Sequence, residues 1–266
     1  MPPTVRPAPR DDHAVVARLF PDLGAGDPMP ALDPWAAERL GGTTIAELDG
    51  APAGFLFAQS EGGDGYVRHV VVAPDARRRG VARALLDAFA DQLRASGRSR
   101  WRLNVRPENT AAVALYRTLG MEVEHASVAL DFTWSWVRDL PDPHTQGSAR
   151  EPDASELDAL SGRFGIAPGV LERGLRSPAS HVRVLGHGEP TALCTFDPAF
   201  PGCFPFRAVS FDAAVALLRA IEPLATQDAM RVVVEDDAAL DAAFVAAGAR
   251  EHLRFVHMAG PVPAAP

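Results

Sequence analysis

Three consecutive arginines, Arg77, Arg78 and Arg79, stand directly before Gly80 in the stretch APDARRRGVARALL, and Arg83 follows three positions on. The chain is acidic overall, with a formal net charge of −8, so this local cluster of guanidinium groups needs a reason. Charge alone fits two readings, a solvated helix start or a seat for phosphate groups. An apolar VVV run precedes the cluster, and Val81, Leu85, Ala88, Phe89 and Leu93 recur after it at helical spacing. That pattern predicts a strand, a short loop and a helix opening near Gly80. The first N–H groups of a helix have no intrahelical acceptor, and the helix dipole adds partial positive charge there. A pyrophosphate is a good occupant of such a place. Gly80 and Ala82 carry little bulk, so backbone can approach a ligand closely. The guanidinium groups of Arg77, Arg78, Arg79 and Arg83 can add charge-assisted hydrogen bonds. Neither the GxxxxGK[ST] of a phosphate-binding Walker loop nor the GxGxxG of a dinucleotide turn is present.

Further along, LNVRPENTAAVALYRTLGMEV sets Asn109 and Tyr116 seven residues apart. That is two helical turns, which puts both on one side. On spacing alone Tyr116 is equally a core aromatic beside Ala112, Leu115 and Leu119. The strand GYVRHVVV offers Tyr66, Arg68 and His69, and histidine is the residue type that ordinarily titrates near neutral pH. Glu61 and Asp64, read as loop residues, could act through water. Two cysteines, Cys194 and Cys203, and scattered histidines match no disulfide framework or zinc spacing, so no metal is expected. The 26 basic residues are all arginine, which excludes a lysine Schiff base or lysine general base.

Composition bounds the rest. At 266 residues and 47% apolar the chain can bury a core in each of one or two domains. Its acidic balance argues against non-specific nucleic-acid binding, although Arg77 to Arg106 holds nine arginines against Asp87 and Asp91. The acidic remainder could attract a cationic co-substrate over long range. No apolar run reaches the ~18 residues that span a bilayer, and MPPTVRPAPRDD lacks the apolar stretch of a signal peptide. A cytoplasmic protein without a membrane partner is the expectation.

The positioning elements follow from periodicity and punctuation. Residues 138–155, rich in proline and polar side chains, predict a linker. Before it, strands are predicted at Thr4–Ala8, Thr43–Leu48, Ala53–Ser60, Tyr66–Val72, Trp101–Val105 and Met121–Phe132. Helices are predicted after a cap at Asp11 or Asp12, from Trp35 to Leu40, from Gly80 to Ser96 and from Asn109 to Leu119, with Pro21–Pro34 as loop. After it, helices at 153–164, 168–176, 212–224 and 237–247 alternate with strands at 181–185, 192–196, 204–209, 231–234 and 253–257. Such a mixture gives an α+β or α/β sandwich. Sliding the chain by 128 places Val105 on Val233, Tyr116 on Phe244 and Gly120 on Gly248, the mark of an internal duplication.

Arg77 to Ala82 resembles the [QR]-x-x-G-x-[GA] signature of the GNAT superfamily of acyl-CoA-dependent N-acyltransferases. Asn109, Ala112, Tyr116, Gly120 and Met121 resemble that family's second motif, in order and about 30 residues on. The resemblance covers residues 4 to 132 well and the second half in outline. It implies two GNAT-like domains, each a mixed, mostly antiparallel sheet flanked by helices, with residues 1–140 catalytic, 141–152 a linker, and 153–266 a degenerate copy. It implies acetyl-CoA as co-substrate and a small-molecule or peptide amine as acceptor, with Pro21–Leu40 and Trp35 lining the acceptor pocket. The backbone of Val70 and Val72 would pair with the pantetheine arm. The amides from Arg78 through Gly80, Val81 and Ala82 to Arg83, with Arg77 beside them, would hold the pyrophosphate, and Asn109 would bond to the pantetheine. Tyr116 would serve as general acid, and the Val72 N–H would polarise the thioester carbonyl. Many relatives place a carboxylate base on the strand before the signature; this chain departs from that pattern, and His69 is the candidate base on that strand, beside Glu61 or Asp64 through water or an amine that arrives already deprotonated. In the second half Arg207, Ala208, Val209 and Ser210 replace the signature, and Phe244, which cannot donate a proton, replaces Tyr116. The competing implications are a non-catalytic acyl-CoA-binding or regulatory protein, and a nucleotide or phosphate sensor.

Overall fold

The computed structural model describes residues 2–24, 29–61, 63–145, 148–186, 188–200 and 202–264. The chain falls into two compact units, Met1–Glu124 with Val256–Pro266, and His125–Phe255.

The first unit carries strands β1 (Thr4–Pro7), β2 (Thr43–Leu48), β3 (Ala51–Glu61), β4 (Asp64–Val72) and β5 (Arg100–Val105) in that spatial order. Neighbours are antiparallel except β4 and β5, which run parallel. The last part of β12 (Arg250–Pro261) lies antiparallel on β5, with Val256 opposite Val105. The turn in DGAP is a two-residue hairpin in which Asp49 and Gly50 both have positive φ, the twist that hairpins favour. Helices α1 (His13–Leu19), α2 (Leu32–Glu38), α3 (Val81–Ala95) and α4 (Thr110–Thr118) complete the unit. Asp12 does not cap α1, as its sequence position suggests; its buried carboxylate takes a 2.5 Å bond from Arg6 on β1 instead. The helix α3 buries Val81, Leu85, Leu86, Phe89, Ala90 and Leu93, an amphipathic stripe in which each fully buried large side chain contributes roughly 1.5–3 kcal/mol. Gly54 lets the start of α3 settle on β3: a Cβ there would lie 2.6 Å from Val71 O and 3.0 Å from Val81 Cγ1.

The second unit carries β6 (Glu122–Thr133, from His125 on), β7 (Ala149–Arg150), β8 (His181–Leu185), β9 (Ala192–Asp197), β10 (Gly202–Ala208) and β11 (Ala229–Glu235), in the order β6-β11-β10-β9-β8-β7. Among the described residues of this unit β10 and β11 pair in parallel, and β10–β9, β11–β6, β7–β8 and β8–β9 are antiparallel. Helices α5 (Trp134–Asp139), α6 (Leu157–Phe164), α7 (Val170–Arg176), α8 (Phe211–Ile221) and α9 (Ala238–Ala246) flank it. Cys194 and Cys203 are buried free thiols. Each unit is therefore a mixed, mostly antiparallel sheet with helices, and the 128-residue offset holds: α4 superposes in number on α9, and β6 on β12.

The division differs from a break at 141–152. Residues 125–140 belong to the second unit because Val128, Leu130, Phe132, Trp134 and Val137 bury their side chains in its core. The segment expected to be linker supplies the end of α5 and the short strand β7. The chain's last strand serves both units, with residues 250–255 in the second and 256–261 in the first.

Candidate active site

β4 and β5 lie side by side only at their start. Gly65, Tyr66 and Val67 pair with Trp101, Arg102 and Leu103, and no further pair follows among the described residues. The cause lies on the other edge of β4. Against β3, His69 pairs with Phe57 and Val67 with Ala58, so Arg68 is an extra residue, a β-bulge. A bulge bends and twists its strand, and this one carries the end of β4 away from β5. A wedge-shaped gap opens with its apex at Val67 and Leu103. Beyond β4, Ala73 N–H donates to Ala53 O on the β3 side at 2.8 Å. Strand backbone groups alternate in direction, so Val71 faces β3 while Val70 and Val72 present N–H and C=O to the gap. Arg77 Nε donates to Val72 O at 3.2 Å, the place an extended ligand's amide would take over.

From Val72 the chain makes one 3₁₀ turn, Pro74–Ala76, and enters α3 through 77–80. Arg78 (φ 65°) and Gly80 (φ 83°) are left-handed. Such alternation points successive N–H groups into one concavity, an anion nest. The N–H groups of Ala76 and Arg77 close the 3₁₀ turn, and Ala84 N–H makes the first bond of α3, to Gly80 O. Between them six consecutive backbone N–H groups, Arg78 to Arg83, donate no hydrogen bond of normal geometry to a described residue. A Cβ on Gly80 would meet nothing within 4 Å, so its dihedral and not its size requires glycine. A side-chain-bearing residue in that conformation costs about 1–2 kcal/mol.

Three of the four arginine side chains already have partners. Arg77 also reaches Asp22 at 3.4 Å, Arg79 binds Asp49 at 2.6 Å, and Arg83 binds Asp87 at 2.8 and 2.9 Å. The Arg79 guanidinium holds the Asp49 carboxyl below its ordinary range. Exposed pairs of this kind are weak and exchange readily for a stronger anion. Arg78 makes no hydrogen bond or ion pair with a described residue.

The helix α4 follows β5, the other wall of the gap. Asn109 is its N-cap: Oδ1 accepts the Ala112 N–H at 3.2 Å, and the backbone at φ −79° and ψ 64° is not yet helical. The two-turn relation to Tyr116 therefore stops short. Asn109 is exposed, its oxygen is committed to the cap, and its amide N–H₂ is what it can offer a ligand. Tyr116 is buried, and desolvation pushes its phenol up to about 12. Its hydroxyl makes no hydrogen bond with a described residue.

His69 sits two residues past the apex of the gap. Its ring packs edge-on to Phe20 (5.6 Å) and Phe55 (6.5 Å) and tilted on Phe57 (5.6 Å). These rings line a closely packed crevice shared with Trp35 and Arg39. Arg39 lies over the Phe57 ring at 5.7 Å, and the buried Thr43 hydroxyl donates to Arg39 O at 2.7 Å. Glu61 and Asp64 are strand termini rather than loop residues, and Asp64 pairs with Arg100 at 3.4 Å. Arg39 and Phe57 carry no motif. A cation in the last turn of a helix reads as a dipole partner, and Phe57 reads as an ordinary core position of a strand.

The sequence profile of the "Acetyltransferase (GNAT) family" matches residues 13–121. Over 72 residues (27% of this chain, 49% of the relative) the sequence is 38% identical to the ribosomal protein bS18-alanine N-acetyltransferase of Escherichia coli K12. Over 86 residues (32% and 61%) it is 31% identical to the acetyltransferase SG1711 of Sodalis glossinidius. The matched stretches thus span about half to three-fifths of those relatives. A GCN5-related N-acetyltransferase structure from Sphaerobacter thermophilus is similar over 99% of this chain and 97% of its own (TM-score 0.70, 16% identity). A tandem GNAT protein from the clavulanic acid biosynthesis pathway is similar over 99% and 100% (TM-score 0.60, 14% identity). At these identities the structural likeness is one of fold.

Proposed function

We propose that this chain, whose residues 13–121 match the GNAT acetyltransferase family profile, transfers an acetyl group from acetyl-CoA to a primary amine in its first unit, by direct attack in a ternary complex. One observation carries the reading: six consecutive backbone N–H groups with no acceptor among the described residues stand at the end of a strand edge that, beyond Val67, pairs with none of them. A nest for an anion next to a free peptide-like edge suits a molecule that joins a pyrophosphate to an arm of two amides.

On this reading the amides of Arg78 to Arg83 and the Arg78 side chain hold the pyrophosphate. Val70 and Val72 pair with the pantetheine, which displaces Arg77 from Val72 O, and the Asn109 N–H₂ donates to the same arm. With the pyrophosphate beside Val72, the acyl end points to the apex. The carbonyl-polarising donor then becomes Val70 N–H, nearer the apex, in place of Val72. The amine nitrogen forms its bond to the thioester carbon, the C–S bond breaks, and sulfur leaves with the electron pair. His69 takes the proton the amine loses. Tyr116 donates to the departing sulfur. Its phenol, near 12, is a weaker acid than a thiol of ~8.5. It therefore shares its proton in the transition state, and the thiol acquires its final proton from the one the amine released. The weakness of that acid favours a second reading, an acyl-CoA-binding protein without turnover.

The test is release of free coenzyme A thiol from acetyl-CoA across a panel of amines. Amine-dependent release supports transfer. Tight acetyl-CoA binding without amine-dependent release across the panel overturns transfer in favour of the second reading.

A further inference from the structure

Resting on the acetyltransferase reading above, we propose that the acceptor is a small zwitterion, an α-amino acid with an apolar or aromatic side chain, and that Arg39 binds its carboxylate. The crevice that holds Arg39 begins at His69, two residues from the apex where β4 leaves β5. An amine there is next to the position assigned to the thioester. Phe20, Trp35, Phe55 and Phe57 make the lining aromatic, and no Asp or Glu belongs to it among the described residues.

That chemistry excludes some amines and favours others. A polyamine or an amino sugar would bring further ammonium groups into an aromatic wall whose described residues include no carboxylate to receive them, and desolvating an unpaired charge is costly. Arg39, the arginine among the described lining residues, has the opposite preference. Arg39 is half-buried, its side chain makes no hydrogen bond or ion pair with a described residue, and its contact is the face of Phe57. Other arginines of this unit, Arg6, Arg79, Arg83 and Arg94 among them, are matched to carboxylates. A guanidinium presents a planar fork that fits a carboxylate through two bonds. Arg39 and His69 flank the same ring, 5.7 and 5.6 Å from its centre. On this proposal the amine of the amino acid lies at the histidine, its carboxylate at the arginine and its side chain against the phenyl ring that both contact. The crevice is closely packed, so entry requires its lining to part, which favours a small body.

The experiment compares kcat/KM for L-phenylalanine and L-leucine with their carboxamides, with spermidine and with a short peptide bearing a free N-terminus. It uses wild type and Arg39→Gln, with acetyl-CoA binding measured on both proteins. One charge-assisted interaction predicts that the free amino acids exceed their amides by about 10- to 100-fold. In Arg39→Gln the ratio collapses toward one through a rise in KM for the amino acids, while acetyl-CoA binding shows that the variant is folded. The proposal is overturned if spermidine or the peptide is the best acceptor, if acids and amides react alike in wild type, or if Arg39→Gln lowers both equally. Those outcomes leave the acetyltransferase reading standing. Failure of the wild type to bind acetyl-CoA overturns that reading itself.

Discussion

The same strand-to-helix step occurs once in each unit and ends differently. In the first, residues 73–80 separate β4 from α3; in the second, only Val209 and Ser210 separate β10 from α8. The short connection leaves no nest. The Ser210 hydroxyl accepts the Ala213 N–H at 3.1 Å, and Asp212 on the first turn takes the N–H groups of His144 and Thr145 at 2.7 and 2.6 Å. The Thr145 side chain, with the His144 and Thr145 N–H groups, holds the Asp212 carboxyl below its ordinary range, so that helix start carries negative charge. The strands part in the second unit too: Gly202 and Cys203 pair with Arg231 and Val232 and no pair follows among the described residues. There an ion pair between Arg207 and Glu235 bridges the gap. Phe244, the counterpart of Tyr116, is buried against Phe132, Trp136, Phe206 and Phe211. The wedge thus comes with the sheet topology. What sets the first unit apart is its longer loop, with six N–H groups that meet no acceptor among the described residues.

The comparison is sharpened most by the two aromatic counterparts. Tyr116→Phe is expected to lower kcat by ~10²–10⁴-fold while the Kd for acetyl-CoA, read by calorimetry, stays near wild type. A Phe244→Tyr variant should gain no second activity, since no nest adjoins it. Because burial holds the Tyr116 phenol near 12, the pH profile of kcat should show no descending limb from this group below about pH 10. Stability carries the same sign. A phenol raised in the folded state supports folding fully below its unfolded value of ~10, and that support is lost as pH rises through 12. Phe244→Ala should cost about 3–5 kcal/mol in denaturant unfolding, as expected of a side chain that fills a core. Gly80→Glu places a carboxylate and backbone strain in the nest, and acetyl-CoA affinity should fall by at least about tenfold, from the strain alone. The smallest effect belongs to Ser210→Ala, a lost cap worth about 1 kcal/mol, with no change in acetyl-CoA binding.

Much of this was legible in the sequence because it is local. The turn Asp49–Gly50, the strands Thr43–Leu48 and His181–Leu185, and the glycine that opens α3 are set by residues within a few positions of one another. The unit boundary was not legible. β6 and β12 are each 12 residues long and lie 128 apart, and nothing within a strand says which sheet receives it. The bulge at Arg68 was hidden for a related reason: GYVRHVVV alternates no differently from a regular strand, and the extra residue shows only against β3. Counting arginines overstated the free charge at the nest, because Asp22 and Asp49, remote in sequence, return to neutralise Arg77 and Arg79. The setting of His69 among Phe20, Phe55 and Phe57 was likewise out of reach, since three separate elements build it.

Calorimetry of acetyl-CoA with the full chain tests the central claim most directly, because it counts sites as well as measuring their strength. A single molecule per chain is expected, with binding greatly weakened in Gly80→Glu and unchanged in Ser210→Ala. Two molecules per chain, no binding heat, or undiminished affinity in Gly80→Glu would contradict the assignment of the ligand to the amide nest that opens α3.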